Sequence, residues 1–327
     1  MHKLLIVFLG LLLALGEAFA DDPERLLRRA SRYLETLPAA MPGSEKDSEA
    51  KIALGRDLFF DARLSINDQQ SCSTCHPVND GRAGMDNLAT SPGAQGQMGT
   101  RNTPTVFNAG WQASQFWDGR AADLVEQAKG PIINPIEMAM PSAEAVEHKL
   151  RGIPDYVTRF DAVFAQGGES LTYDNVAEAI AAFERTLRTE SRLDDFLGGQ
   201  LDALDEVELR GLKTFIKSNC VKCHDGPLAG GGVIEKLGEH GEYQNLSDLG
   251  RFEVTGEERH KFMFKVPSLR NVELTAPYFH DGGIATLEEA VRLMARLQLG
   301  RELKGQEARD IVAFLKTMTG KRFKSTG

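Results

Sequence analysis

Positive charge is scarce in this 327-residue chain: 38 Lys and Arg stand against 47 Asp and Glu, a formal net charge of −9. Nucleic-acid binding needs clustered cations to displace phosphate counterions, so this balance argues against that class. A solvated acidic surface accounts for it, and such a surface also suits a basic redox partner. Long apolar runs are scarce too. The one candidate, Leu4 to Gly16, spans 13 residues, fewer than the roughly 20 of a membrane helix. Lys3 precedes it, and Ala18-Phe19-Ala20 follows it ahead of Asp21. This reads as a cleaved signal peptide over residues 1–20 and implies an exported, periplasmic protein with no membrane span. No cysteine follows the cleavage site to carry a lipid. Convincing strand alternation is absent as well.

Cysteine is limited to four residues, and their spacing is informative. Cys72-x-x-Cys75-His76 and Cys220-x-x-Cys223-His224 lie 148 residues apart and use every cysteine. Four cysteines in an exported chain would ordinarily suggest disulfides. A C-x-x-C-H unit has another chemistry. Two thiols at that spacing add across the two vinyl groups of haem, and the adjacent histidine ligates the iron. A zinc reading would need both pairs to converge on one tetrahedral site and would leave both histidines unexplained. Two covalent c-type haems are therefore expected.

Helical periodicity runs through most of the chain. Val176, Ile180, Phe183 and Leu187 form one apolar stripe. Asp205 and Glu208 stand in capping-box spacing ahead of Val207, Leu212, Phe215 and Ile216. Thr286 and Glu289 cap a helix carrying Leu287, Val291 and Met294, and Ile311, Val312, Leu315 and Met318 mark a last one before Gly320. Between them lie Gly-, Pro- and Asn-rich stretches at 77–110, 129–142 and 225–285. Loops of that length are uncommon unless functional, and wrapping a haem would explain them. The expected fold is mainly α: two cytochrome c-like domains over 21–195 and 196–327, with the last helix able to pack back on the first.

Three long blocks carry a resemblance: LGRDLFFDARLS before the first motif, RNTPTVFNAGWQASQFWDGRAADLVEQAKGP after it, and FKVPSLRNVELTAPYFHDGG after the second. The sequence resembles the bacterial dihaem cytochrome c peroxidases along essentially the whole mature chain. The MauG group, which oxidises residues of a partner protein, shares the scaffold. The resemblance implies reduction of hydrogen peroxide at the N-terminal haem, with the C-terminal haem as a high-potential electron store. It implies a small c-type cytochrome or cupredoxin as electron donor, a calcium ion between the haems and a possible homodimer.

The same resemblance implies roles by position. Met294 matches the second ligand of the C-terminal haem, where the MauG group has tyrosine; its spacing equally fits a core residue. Glu137 in PIINPIEMAMP matches the distal acid, set in a loop with Ile132, Ile133, Ile136 and Met138. Gln127, expected in a helix over 120–129, matches a glutamine of the same pocket. Trp117 matches the tryptophan between the haems, a position that a buried core residue would also fill. Asn102, Thr275 and Pro277 match the calcium ligands. His280 is expected as a hydrogen-bonding structural residue near a haem edge. One departure stands out. In TSPGAQGQMGTRNTPT, Ala94 occupies the position where many members carry a histidine that closes the oxidised first haem. Met98 is the candidate substitute. Without one, the first haem stays open when oxidised and needs no reductive activation. A plain dihaem electron carrier is the remaining alternative from another class.

Overall fold

Two glycines decide how the main helices cross. A Cβ at Gly55 would sit 1.7 Å from the carbonyl oxygen of Ala179, and one at Gly211 would sit 1.9 Å from that of Asp310. Each contact therefore brings two helix backbones together where any side chain would hold them apart. The computed structural model describes residues 22–165 and 168–323; the expected signal segment lies outside the described residues.

The first helices are α1 (Pro23–Ala30), α2 (Glu49–Phe60), α3 (Cys72–Cys75), α4 (Leu124–Ile133), α5 (Ala143–Arg151), α6 (Pro154–Phe164) and α7 (Tyr173–Glu184). They are followed by α8 (Arg192–Leu197), α9 (Glu206–Lys217), α10 (Phe252–Thr255), α11 (Leu287–Leu299) and α12 (Gly305–Lys316). Side chains cap many starts: Ser48, Asp123, Ser142, Thr172 and Thr286 each accept a backbone N–H of the first turn. Asp205 and Glu208 close the expected capping box. Val207, expected inward, is 38% exposed; it lies in the first turn, beyond the stripe of Leu212, Phe215 and Ile216.

The apolar side chains gather into two principal cores. One joins α2, α4, α5, α6 and α7 through Leu54, Phe59, Ile132, Val146, Phe160 and Ile180. The other joins α8, α9, α11 and α12 through Phe196, Leu212, Phe215, Ala295, Ile311 and Phe314. Fully burying side chains of this kind contributes about 1.5–3 kcal/mol each. The Gly55 crossing of α2 on α7 and the Gly211 crossing of α9 on α12 anchor the two cores.

Three features differ from the sequence expectation. Although α1 precedes the first motif, Leu26, Ala30 and Leu34, spaced four apart on one apolar stripe, pack into the second core. α12 packs on α9, and it is the short turn after it that reaches back: Phe323 meets Phe107 edge-on at 5.2 Å and Arg322 donates to the Val78 carbonyl. Inside the long 225–285 stretch, β1 (Ile234–Lys236) pairs antiparallel with β2 (Met263–Lys265), three residues a side. Strands so short show no readable alternation.

Candidate active site

The site begins with one turn of helix. Ser71 caps α3, and that turn presents Cys72 and Cys75, neither in a disulfide. The chain then leaves the helix at His76, whose Nδ1 lies 3.0 Å from the carbonyl oxygen of Gly84. Gly84 is left-handed (φ +71), and a Cβ there would crowd Val106 at 2.8 Å. The second motif repeats the arrangement. Asn219, left-handed at φ +66, ends α9, and His224 Nδ1 lies 3.1 Å from the carbonyl oxygen of Ala229. In both, the carbonyl fixes the proton on Nδ1 and leaves Nε2 with a free lone pair, as a metal ligand needs. Burial lowers both histidine pKa values, keeping the imidazoles neutral as metal ligation requires, and raises those of the four thiols.

A cleft of about 460 Å³ opens beside Cys72, Cys75 and His76. Unpaired thiols, an anchored neutral imidazole and that adjoining space together fit a covalently attached haem. On the cleft wall, Leu124, Gln127, Ala128 and Pro131 share one face of α4 at helical spacing. Gln127 thus lies in a helix that starts and ends four residues later than expected and runs through Pro131.

Glu137 lines the same cleft. Asn134 Nδ2 donates to its Oε1 at 2.7 Å. Burial holds the Glu137 carboxyl above the usual range, opposed by that hydrogen bond and by the charge of Arg120. Around it, Ile132 and Met138 are buried and Ile136 lines the cleft, while Ile133 is 40% exposed. The backbone of Glu137 is also clamped. Its N–H donates to the Asn134 carbonyl, and its own carbonyl accepts the Ala94 N–H at 2.7 Å. Gly93 permits that approach, because a Cβ there would lie 1.8 Å from the Ile136 carbonyl oxygen.

Ala94 is therefore wedged against the loop of the acid, its carbonyl accepting from Asn67 Nδ2 at 2.6 Å. Met98 is 54% exposed and lies outside the residues that line the cleft.

Trp117 connects the cleft to the second half of the chain. Its Nε1 donates to the Asn102 carbonyl at 2.8 Å, and the Asn102 N–H donates to the His280 carbonyl at 2.6 Å. Its own carbonyl accepts the Lys265 N–H at 2.7 Å. The His280 ring stacks on Phe264 at 4.2 Å and meets Trp117 edge-on at 6.4 Å. The backbone of His280 carries the hydrogen bond to Asn102, while its Nε2 is buried without a partner among the described residues.

Of the expected calcium ligands, Asn102 is buried, with Nδ2 donating to the carbonyls of Leu88 and Ala89. The side chain that reaches the Thr275–Pro277 segment is Asn87, donating to the carbonyls of Leu274 and Ala276 at 2.8 and 2.7 Å. Met294 is half-buried on α11, whose Ala290, Val291, Leu293 and Ala295 pack with the second core.

Two cleft residues escaped the sequence reading. Glu184 ends α7 with its side chain buried and Oε2 unpartnered among the described residues, and burial pushes its pKa up to about 8. A carboxylate four residues after Ile180, on an apolar stripe, was its signal. Lys265 is 6% exposed on β2 and lines the cleft; nothing local distinguishes it in the sequence.

The family described as di-haem cytochrome c peroxidase matches residues 49–202. A cytochrome c551 peroxidase of Nitrosomonas europaea is 46% identical, covering 94% of this chain and 89% of its own. One of Pseudomonas aeruginosa is 43% identical, covering 95% and 89%. A methylamine utilization protein MauG of Paracoccus denitrificans is 34% identical, covering 84% and 90%. Among solved structures, a MauG-like protein associated with microbial copper homeostasis superposes with a TM-score of 0.76 at 29% identity, covering 89% of this chain and 96% of that one.

Proposed function

We propose that this chain, which belongs to the di-haem cytochrome c peroxidase family, reduces hydrogen peroxide to water in the periplasm with electrons from a small c-type cytochrome or cupredoxin. The observation that carries the reading is Glu137: a carboxyl with a raised pKa, held by Asn134, on the wall of the cleft that the first C-x-x-C-H unit enters.

When bound, the haems supply the iron at which peroxide is cleaved and the sites through which two electrons arrive. The chain's own residues do the rest. His76, held by Gly84, would offer Nε2 to the first iron, and His224, held by Ala229, would offer Nε2 to the second, with Met294 as the candidate second ligand. A thioether ligand raises the potential of that haem, as an electron store needs. Overall, peroxide takes up two protons and two electrons and leaves as two waters. Glu137 takes the proton from the inner peroxide oxygen and returns it to the outer one, so that the outer oxygen departs as water rather than hydroxide. Asn134 occupies Oε1, so Oε2 carries the proton. The Gln127 carboxamide donates to the peroxide and orients it. Trp117, bonded to Asn102 on one side and Lys265 on the other, spans the path between the haems. The two cores correspond to two cytochrome c-like domains, and Asn102, Thr275 and Pro277 would hold a calcium ion.

Ala94 in place of a ligating histidine favours a first haem that stays open when oxidised. That feature also suits a MauG-like enzyme oxidising a residue of a partner protein; Met294, in place of tyrosine, favours the peroxidase. Stopped-flow mixing of the fully oxidised protein with peroxide and reduced small cytochrome c separates them. Peroxide-dependent oxidation of the cytochrome without a lag is expected. Haem oxidation with negligible cytochrome turnover, even after pre-reduction, would give the MauG-like reading.

A further inference from the structure

Lys265 is a buried cation whose hydrogen-bond partners among the described residues are neutral. Its Nζ donates to Gln112 Oε1 and to the Ser114 carbonyl at 2.9 Å. Strand alternation turns Phe264 onto His280 and Lys265 into the cleft wall. The acid that acts on it electrostatically, Asp118, is already committed to Arg101 and Arg120. Glu235 and Lys236 of β1 are exposed, and the strand position opposite Lys265 is Ile234. An ammonium carries three N–H donors, and two neutral acceptors leave one of them unanswered. A cation buried without a counter-charge costs several kcal/mol. Burial here lowers the pKa of the amine to about 7.

The cleft that Lys265 lines is the one that would hold the first haem, and every haem c carries two propionate carboxylates. We propose that Lys265 is the counter-ion of a propionate of the first haem, fixing the haem's acidic edge beside Trp117. The inference rests on haem attachment at Cys72 and Cys75. The N–H of Lys265 bonds the Trp117 carbonyl, so this charge sits where an electron would arrive from the second haem. A positive charge there favours the reduced state of the neighbouring iron. Lys265 is a positioning residue rather than a catalytic one.

The test is redox titration of the two haems by their visible spectra in the holoprotein, with two covalent haems first verified by intact mass. Lys265→Met should lower the potential of the first haem and leave that of the second unchanged, and Lys265→Arg should hold the first near its wild-type value. An unchanged first-haem potential in fully loaded Lys265→Met would overturn the proposal. A wild-type protein with no haem at Cys72 and Cys75 would instead overturn the haem assignment beneath it. Should Lys265→Met fail to load haem, the wild type and Lys265→Arg decide. A propionate-paired lysine stays charged through neutral pH, so their first-haem potentials should run parallel as pH rises. Asp118, Glu235, Lys236 and His280, the other ionisable groups around the strand, are common to both proteins and cancel in that comparison. A potential that falls through about pH 7 in the wild type alone would show Lys265 without a carboxylate partner.

Discussion

The backbone N–H of Ala94 donates to the carbonyl of Glu137 at 2.7 Å, so the loop that lacks a histidine at position 94 is fastened to the loop that carries the proposed distal acid. Met98, in the same loop, points outward at 54% exposure. Met98→Ala should therefore leave the visible and paramagnetic resonance spectra of the oxidised protein unchanged, with a high-spin first haem in both. A low-spin signal that disappears in Met98→Ala would show that Met98 closes the iron.

Glu137→Gln removes the proton shuttle but keeps the bond geometry with Asn134. Loss of one general acid–base group slows chemistry by about 10²–10⁴-fold, read as the rate at which peroxide reacts with the first haem. In the wild type that rate should fall as pH drops through the raised pKa of Glu137, because only the ionised form takes the first proton. Asn134 donates to the charged form and lowers that pKa. Asn134→Ala should therefore move the acid limb of the pH profile upward.

Glu184 should leave its mark on stability. Its folded pKa of about 8 lies above the ordinary 4.5, so the folded protein holds a proton that the unfolded chain releases. Its contribution favours folding fully below about 4.5 and is lost as pH rises toward about 8, at up to about 1.4 kcal/mol per pH unit. Glu184→Gln should flatten this fall. Denaturant unfolding of both holoproteins at mildly acidic and mildly alkaline pH measures it, and parallel losses would refute the assignment.

Trp117→Phe removes the indole N–H that bonds the Asn102 carbonyl, a net loss of about 1 kcal/mol. Reaction of the first haem with peroxide should be little changed, while transfer of an electron from the second haem slows. Stopped-flow spectra that resolve the two haems distinguish the steps.

Gly55→Ala should destabilise by more than the 1–3 kcal/mol of ordinary overpacking, since the new methyl meets a helix carbonyl at 1.7 Å rather than a movable side chain. Thermal unfolding of the holoprotein reports it. Gly81→Ala is the control: nothing lies within 4 Å of a Cβ there, although its φ of +82 carries its own strain.

The sequence alone determined the chemistry that is written in contiguous residues. Thiols three positions apart beside a histidine, a capping box at Asp205 and Glu208, and apolar stripes at helical spacing are local patterns, because covalent attachment and helix geometry act over a few residues. The long matched blocks then carried the resemblance, and with it Glu137, Gln127 and Trp117, which no local pattern marks. Tertiary structure alone decided what depends on approach between distant segments. The seating of α1 on the second core, the clamp from Ala94 to Glu137, the burial of Glu184 and the burial of Lys265 against neutral hydrogen-bond acceptors arise where segments tens to hundreds of residues apart meet. A carboxylate or an ammonium has its ordinary chemistry in a sequence; desolvation and the partners that packing supplies or withholds give it another.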